Sequence, residues 1–169
     1  MSAAPAPIPL EEYLNTDYEP DCDYVEGFLE ERSVGKRKHS KTQAALLIWL
    51  HSKQQDHRCD VLPEQRVKVA PGRIRLPDIC LVRPDDAEVV TQPPLLWIEI
   101  LSPEDRFSRV QTRLSDALRF GVQTIWIIDP YSKEAWSVTP QHGTEQVTDG
   151  VLRCVQPPLE LPLAEILPE

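Results

Sequence analysis

The sequence predicts one domain of mixed α/β or α+β class, with a central mixed β-sheet flanked by two main helices. Two nearly all-apolar runs, residues 78–82 and 95–101, are typical of strands that are covered on both faces. Two longer stretches, residues 39–55 and 108–120, place apolar side chains at helical spacing. A chain of 169 residues is about the size of a domain with a single core.

The first part of the chain consists of short elements. Residues 1–9 are rich in Ala and Pro and are expected to be flexible, whereas residues 10–169 form the predicted domain. A short amphipathic piece covers residues 10–14, and residues 24–30 alternate weakly around Gly27, as a strand or hairpin does. The 17 prolines of the chain favour short elements joined by turns.

The first long helix is predicted from about residue 39 to residue 55. Ala44, Leu47, Ile48 and His51 lie at positions i, i+3, i+4 and i+7 of this stretch. These side chains share one face of a helix, and the stretch contains neither Gly nor Pro.

Residues 66–76 are predicted to form a β-hairpin with one buried face. Apolar residues alternate there with Arg66, Lys68, Arg73 and Arg75 on either side of a Pro-Gly turn. Side chains that alternate along a strand point to opposite faces of the sheet. The four basic side chains are therefore expected to point outward.

The second long helix and two further strands complete the predicted sheet. The helix covers residues 108–120, and Gly121 is suited to end it. Strands are predicted at residues 124–129 and 134–138. The expected buried stripe of the helix consists of Val110, Leu114, Ala117 and Leu118.

The negative charge of the chain is concentrated at one end. The sequence has 18 Lys and Arg against 27 Asp and Glu, a formal net charge of -9. Residues 1–31 contain nine of the acids and neither Lys nor Arg, so the remaining chain has 18 acids and 18 basic residues. The overall acidity therefore does not exclude a nucleic-acid partner for the main body. The acidic end is expected either to cover that body or to act as an arm that repels DNA.

Several classes of protein are unexpected. No apolar run approaches the roughly 20 residues that cross a bilayer, and the first residues lack the basic start and apolar stretch of a signal peptide. A soluble, cytoplasmic protein without membrane contact is expected. The four cysteines are scattered singly, without a C-x-x-C pair, so a structural zinc site and a disulfide framework are both unexpected.

Two carboxylates stand where the pattern predicts a core. Asp78 opens one apolar strand, and Glu99 interrupts another. A carboxylate at such a position must be paired, protonated or metal-bound, because burying an uncompensated charge costs several kcal/mol or more. Two carboxylates on adjacent strands can share a divalent cation, which removes their repulsion. The plainer alternative is that Glu99 meets an Arg across the sheet and Asp78 merely ends a turn.

Several short motifs follow one another at fairly specific spacing: YVEG at residues 24–27, PD at 77–78, EILSP at 99–103, FGV at 120–122 and IWIIDP at 125–130. Together with His39, they resemble the Uma-two-like family of bacterial restriction endonucleases, within the PD-(D/E)XK nuclease superfamily. The resemblance covers roughly residues 10–167. It implies a restriction-endonuclease-like core and metal-dependent hydrolysis of phosphodiester bonds in DNA.

The resemblance also implies roles for particular residues. Asp78, Glu99 and the backbone carbonyl of Ile100 would hold Mg²⁺ or Mn²⁺, which suits hard oxygen ligands. Glu26 and His39 match family positions near the site, where they would ligate the metal indirectly or orient water. A plainer interpretation stays open for both: Glu26 is one more acid of an acidic segment, and His39 is a polar residue at a helix start.

The sequence departs from the superfamily at the catalytic Lys. The plain E-x-K form would have Lys where this chain has Leu101, and the resembled family carries its Lys on the following helix, where this chain has Arg113. Arg113 lies at the edge of the apolar stripe, with Arg106 and Arg109 along the same side. A guanidinium can stabilise charge on a phosphate, but its pKa is too high for proton transfer.

A set of basic residues is expected to contact DNA phosphates, although such residues also occur on ordinary solvated faces. These candidates are Lys36, Arg37, Lys38, Lys41, Arg75, Arg106 and Arg109. The leading hypothesis is a Mg²⁺-dependent endonuclease that acts as a homodimer, because cutting both strands of a duplex usually takes two sites. The first alternative is a weakened or inactive nuclease fold that binds DNA or protein, and the second is a structural partner in a homodimer.

Overall fold

The computed structural model describes residues 6–33 and 35–167. The helices are α1 (Leu10–Leu14), α2 (Arg37–His51), α3 (Gln54–His57) and α4 (Phe107–Phe120), followed by a 3-10 turn at Leu163–Glu165. The strands are β1 (Cys22–Val25), β2 (Phe28–Glu31), β3 (Asp60–Pro63), β4 (Val67–Ala70), β5 (Arg73–Arg75), β6 (Ile79–Val82), β7 (Leu96–Ile100), β8 (Ile125–Asp129), β9 (Glu134–Thr139), β10 (Gly143–Gln146), β11 (Val151–Cys154) and β12 (Leu159–Pro162).

The central sheet is mixed, as the sequence predicts. Its strand order is β10-β9-β8-β7-β6-β3, in which β7 and β8 are parallel and the other pairs are antiparallel. Parallel neighbours need a crossover connection, and α4 supplies it between β7 and β8. Gly121 ends α4 with a φ of 114°, which only glycine adopts without strain.

The two long helices cover opposite faces of this sheet. Leu46 and Leu50 of α2 pack in one apolar cluster with Ile98. Val110 and Leu114 of α4 pack in another cluster with Trp97, on the other face. Successive side chains of a strand point to opposite faces, so Trp97 and Ile98 alternate between the two clusters. A sheet flanked by two main helices is therefore confirmed.

A second sheet has the order β2-β1-β5-β4 and carries the acidic end of the chain. Ile8 is hydrogen-bonded to this sheet, because its N–H donates to the carbonyl of Gly27 and its carbonyl accepts from the Tyr24 hydroxyl. Residues 1–5 lie outside the described part. Ile8, which lies within the segment predicted to be flexible, is held by these two hydrogen bonds. Within the described part, no helix is both long and apolar enough for a membrane span.

The buried face of α2 differs from the face that the apolar spacing marks. Ile48 is 74% exposed, and Ala44 and His51 are exposed as well. The buried face consists of His39, Thr42, Leu46 and Leu50. His39 contacts a buried carboxylate, and Leu46 and Leu50 pack in an apolar cluster with the central sheet, which are tertiary contacts that apolar spacing alone does not show.

Candidate active site

Asp78 and Glu99 lie side by side in the central sheet. β6 and β7 pair with Ile79 opposite Ile98, and continuing this antiparallel register places Asp78 next to Glu99. Asp78 is 3% exposed and Glu99 is fully buried. The backbone N–H of Ile100 donates to Asp78 Oδ2 at 2.6 Å, which fixes the Asp78 side chain against the end of β7.

Two side chains from outside the sheet donate to Asp78. Arg32 Nη2 lies 2.6 Å from Asp78 Oδ1, and His39 Nε2 lies 3.4 Å from the same oxygen. Burial alone would raise the pKa of Asp78, but the Arg32 charge and the His39 hydrogen bond hold that pKa below its usual range. Burial opposes protonation of His39, yet the hydrogen bond and charge of Asp78 outweigh it and raise the His39 pKa.

Glu99 has a different set of donors. Trp97 Nε1 donates to Oε1 at 2.8 Å, and Arg113 Nη2 donates to Oε2 at 2.8 Å. Burial raises the pKa of Glu99 and the Asp78 charge adds to this, while Arg113 opposes it. An Arg therefore does meet Glu99, but from α4 and not across the sheet.

A cavity of about 450 Å³ opens on the Asp78 side of the carboxylate pair. Arg32, His39, Gln43 and Glu64 are among its walls. Gln43 Nε2 donates to the backbone carbonyl of Asp78 at 3.2 Å. An ion or a phosphate from solvent would therefore reach Asp78 first.

A larger, mostly apolar cavity of about 900 Å³ lies between α4 and strands β8 and β9. Its walls include Phe107, Leu114, Ile127 and Trp136, and neither carboxylate of the pair lines it. The larger of the two cavities is therefore not the one that reaches the carboxylate pair. We take the smaller cavity as the site, because it alone reaches a buried carboxylate.

The comparisons with known proteins identify the family and the fold of this chain. A family model named Uma2, described as "putative restriction endonuclease", matches residues 10–168. The chain belongs to the Uma2 family. A solved structure, described as a "putative nuclease belonging to DUF820" from Anabaena variabilis, matches with a TM-score of 0.82 and 25% identity over 95% of this chain and 98% of that one. The predicted family and restriction-endonuclease-like fold are thereby confirmed, whereas the search of curated proteins found no match.

Of the residues that the resemblance implies for the site, the structure brings together five. Asp78, Glu99, Ile100, Arg113 and His39 are linked by the contacts above. Glu26 lies elsewhere: its side chain is 74% exposed, and its carboxylate contacts Arg73 Nη2 at 3.1 Å.

The predicted DNA contacts divide into an exposed set and one buried residue. Lys36, Arg37, Lys38 and Lys41 are exposed at the start of α2, as are Arg106 and Arg109 at the start of α4. Lys36 forms an ion pair with Glu104, just before α4, so the two helix starts lie close together. We call these six side chains the basic surface.

Arg75 is a correction to that prediction. Its side chain is 1% exposed and is held by Asp23, Glu30 and Asp116. The hairpin has no common basic side, because its register places Arg75 opposite Val67 and Lys68 opposite Ile74, and carboxylates of β1, β2 and α4 cover Arg75. Arg73 and Arg66 are also engaged: Arg73 pairs with Asp116, and Arg66 donates to carbonyls of residues 14 and 16.

Sequence reasoning missed two buried charged residues, Arg32 and Asp116. Arg32 is absent from the predicted site residues, yet its side chain is only 11% exposed and it pairs with Asp78. Asp116 was overlooked, although it stands beside Ala117 in the buried stripe of α4. An acid in an apolar stripe is the same signal that revealed Glu99, and it could have found Asp116 too.

The acidic end is part of the fold. Asp23, Glu26 and Glu30 form ion pairs with Arg75 or Arg73 in the second sheet. Of the two expectations, this favours a cover packed against the body over a free repelling arm for residues 22–31.

Proposed function

We propose that this protein is an endonuclease that hydrolyses phosphodiester bonds of DNA with the help of Mg²⁺ or Mn²⁺. The observation that carries the proposal is the pair of buried carboxylates, Asp78 and Glu99, brought together from adjacent strands beside a cavity. The Uma2 family, described as a restriction endonuclease family, and the nuclease description of the structural neighbour support it.

The donor chemistry suits a hard divalent cation. Asp78, Glu99 and the carbonyl of Ile100 offer oxygen ligands of the kind that Mg²⁺ prefers. Among the described residues, no group of three or more His, Cys, Asp or Glu side chains could hold a metal, so the proposed site depends on two carboxylates and backbone or water oxygens. When bound, the cation would supply an activated water and neutralise charge on the phosphate.

The side chains around the pair would hold and orient it. Arg113 fixes Glu99 Oε2, and its permanent charge suits stabilisation of a phosphate and not proton transfer. His39 contacts Asp78 from α2 and orients that carboxylate. The basic surface flanks the cavity at the two helix starts and would position the DNA backbone without reading its sequence.

The test is cleavage of supercoiled plasmid DNA in Mg²⁺ or Mn²⁺. We expect Asp78→Asn and Glu99→Gln to lower the cleavage rate at least about 1000-fold, equivalent to about 4 kcal/mol of barrier. Glu160→Gln, which alters an exposed carboxylate on β12, is the matched control and should cleave like the wild type. Equal cleavage by all variants would rule the proposal out, provided circular dichroism shows that each is folded.

A second candidate is a nuclease fold without efficient turnover that binds DNA or another protein. It is favoured by Arg113 at the Lys position and by the donors already present on all four carboxylate oxygens. Salt-sensitive DNA binding without cleavage in either metal would support it.

Assembly as a symmetric homodimer and a cytoplasmic location remain predictions from the resemblance and the sequence. A dimer would bring two sites to the two strands of one duplex. Sedimentation of the purified chain would measure the assembly state directly.

A further inference from the structure

Arg32 is the cation closest to the entrance of the proposed site. It directly follows β2, and its N–H donates to the carbonyl of Asp21, which places its side chain over the end of the central sheet. The side chain is 11% exposed, and its Nη2 atom lies 2.6 Å from Asp78 Oδ1. Arg32 therefore blocks part of the approach from the cavity to Asp78 Oδ1.

The surroundings of Arg32 are strongly acidic. Burial opposes its charge, but Asp78, Glu99, Asp23 and Glu64 outweigh burial and raise its pKa. Four carboxylates thus act on one guanidinium. This is the electrostatic environment in which a divalent cation would also be attracted.

Each carboxylate of the pair already has a guanidinium partner in this arrangement. Arg32 and Arg113 each neutralise one carboxylate of the pair. Adding a divalent cation while both guanidinium groups stay in place would leave an excess of buried positive charge, which is strongly unfavourable. One guanidinium must therefore leave the pair.

Arg32 is better placed to leave than Arg113. It lines the cavity of about 450 Å³, whereas Arg113 does not. Its Nη1 atom is buried without a hydrogen-bond partner among the described residues, and Asp23 Oδ1 lies 4.0 Å away as a second carboxylate. A small rotation could exchange Asp78 for Asp23 as the partner of Arg32.

We propose that Arg32 competes with the divalent cation for Asp78, so that metal binding requires its guanidinium to leave Oδ1. This inference rests on the proposed function, from which it takes a cation at Asp78 and Glu99. It adds that the Arg32 guanidinium occupies the cation position at Asp78 and stabilises the carboxylate pair before the metal binds.

The test is calorimetric titration of Mn²⁺ into the folded, full-length protein. We expect Arg32→Gln to bind Mn²⁺ at least tenfold more tightly than the wild type, because the competing charge is gone. Arg73→Gln removes an arginine that pairs with Asp116 and Glu26 instead, and should change the affinity less than twofold. Equal or weaker binding by Arg32→Gln would overturn the inference while leaving the proposed function intact. Absence of Mn²⁺ binding in all three proteins would overturn the metal dependence of the proposed function, and the inference with it.

A second measurement on the wild type covers the case in which Arg32→Gln does not fold. In ¹⁵N-labelled protein titrated with Mg²⁺, the side-chain Nε–H signal of Arg32 should shift as the metal saturates the site. The signal of Arg75, held among other carboxylates, should stay in place. An Arg32 signal that does not move at saturating Mg²⁺ would contradict competition.

Discussion

Two buried ionic clusters in this molecule contain the same types of side chain in opposite arrangements. In the Arg75 cluster, a guanidinium lies at the centre and is surrounded by the carboxylates of Asp23, Glu30 and Asp116. In the Asp78 cluster, the two carboxylates lie at the centre and cations surround them. The central charge of the first cluster is part of the chain and cannot be exchanged, whereas under the proposed function a free cation would join the second.

Access to solvent separates the clusters further. The cavity of about 450 Å³ reaches Asp78 and Arg32, and none of the residues of the Arg75 cluster lines it. Arg75 joins the second sheet to α4 by ion pairs, beside the apolar contacts that β4 and α4 share. The comparison suggests that the Arg75 cluster serves stability and that the Asp78 cluster serves chemistry.

The largest effect in this comparison is expected from Arg75→Met. Removing the central cation leaves Asp23 buried without its closest cation and Asp116 with Arg73 alone, which should cost about 3–5 kcal/mol of unfolding free energy. Urea denaturation followed by circular dichroism measures this loss. The matched control is Arg153→Met, which removes an exposed ion pair with Asp149 and should leave the denaturation midpoint unchanged. A loss below about 1 kcal/mol for Arg75→Met would show that the cluster does not hold the two layers together.

A smaller effect is expected at Arg113, the cation of the Asp78 cluster that the proposal leaves in place. A Lys at this position is compact and its pKa can be tuned, whereas a guanidinium cannot take part in proton transfer. We therefore expect Arg113→Lys to raise plasmid cleavage about tenfold, which corresponds to about 1.4 kcal/mol. Unchanged or lower cleavage, together with salt-sensitive DNA binding, would instead support the binding function.

The exposed cations around the Asp78 cluster should have weaker effects still. Replacing Arg37 and Lys41 with Ala removes two charges of the basic surface, so the slope of log affinity against log salt should fall by up to about 1.8 if each contacts one phosphate. Fluorescence anisotropy with a labelled duplex measures that slope. Lys53, which follows the far end of α2, is the control, and Lys53→Ala should leave the slope unchanged.

The sequence alone predicts those features of the two clusters and their surroundings that depend on local pattern. The strands around Ile79 and Ile98 and the helix that ends at Gly121 were predicted because periodicity and a helix stop are local signals. Asp78 and Glu99 were found because acids conflict with an apolar strand.

The partners of the carboxylates could not be predicted in the same way. Arg32 lies in a run of basic residues that resembles an ordinary exposed segment, and its burial depends on Asp78, 46 residues away. For Arg75, alternation predicted one face shared by the four basic side chains of the hairpin. The register instead places Arg75 opposite Val67 and Lys68 opposite Ile74, and acids from β1, β2 and α4 cover Arg75.

The smallest effect is expected at Glu26, which tests whether the two clusters communicate. Its carboxylate touches Arg73, and Arg73 in turn holds Asp116, three residues beyond Arg113 on α4. Because Glu26 is 74% exposed and Arg73 keeps Asp116 as a partner, Glu26→Ala should change stability by less than about 0.5 kcal/mol. Its plasmid cleavage should equal that of the wild type. A large loss of cleavage with unchanged stability would show that Glu26 acts on the Asp78 cluster, as the resemblance implies.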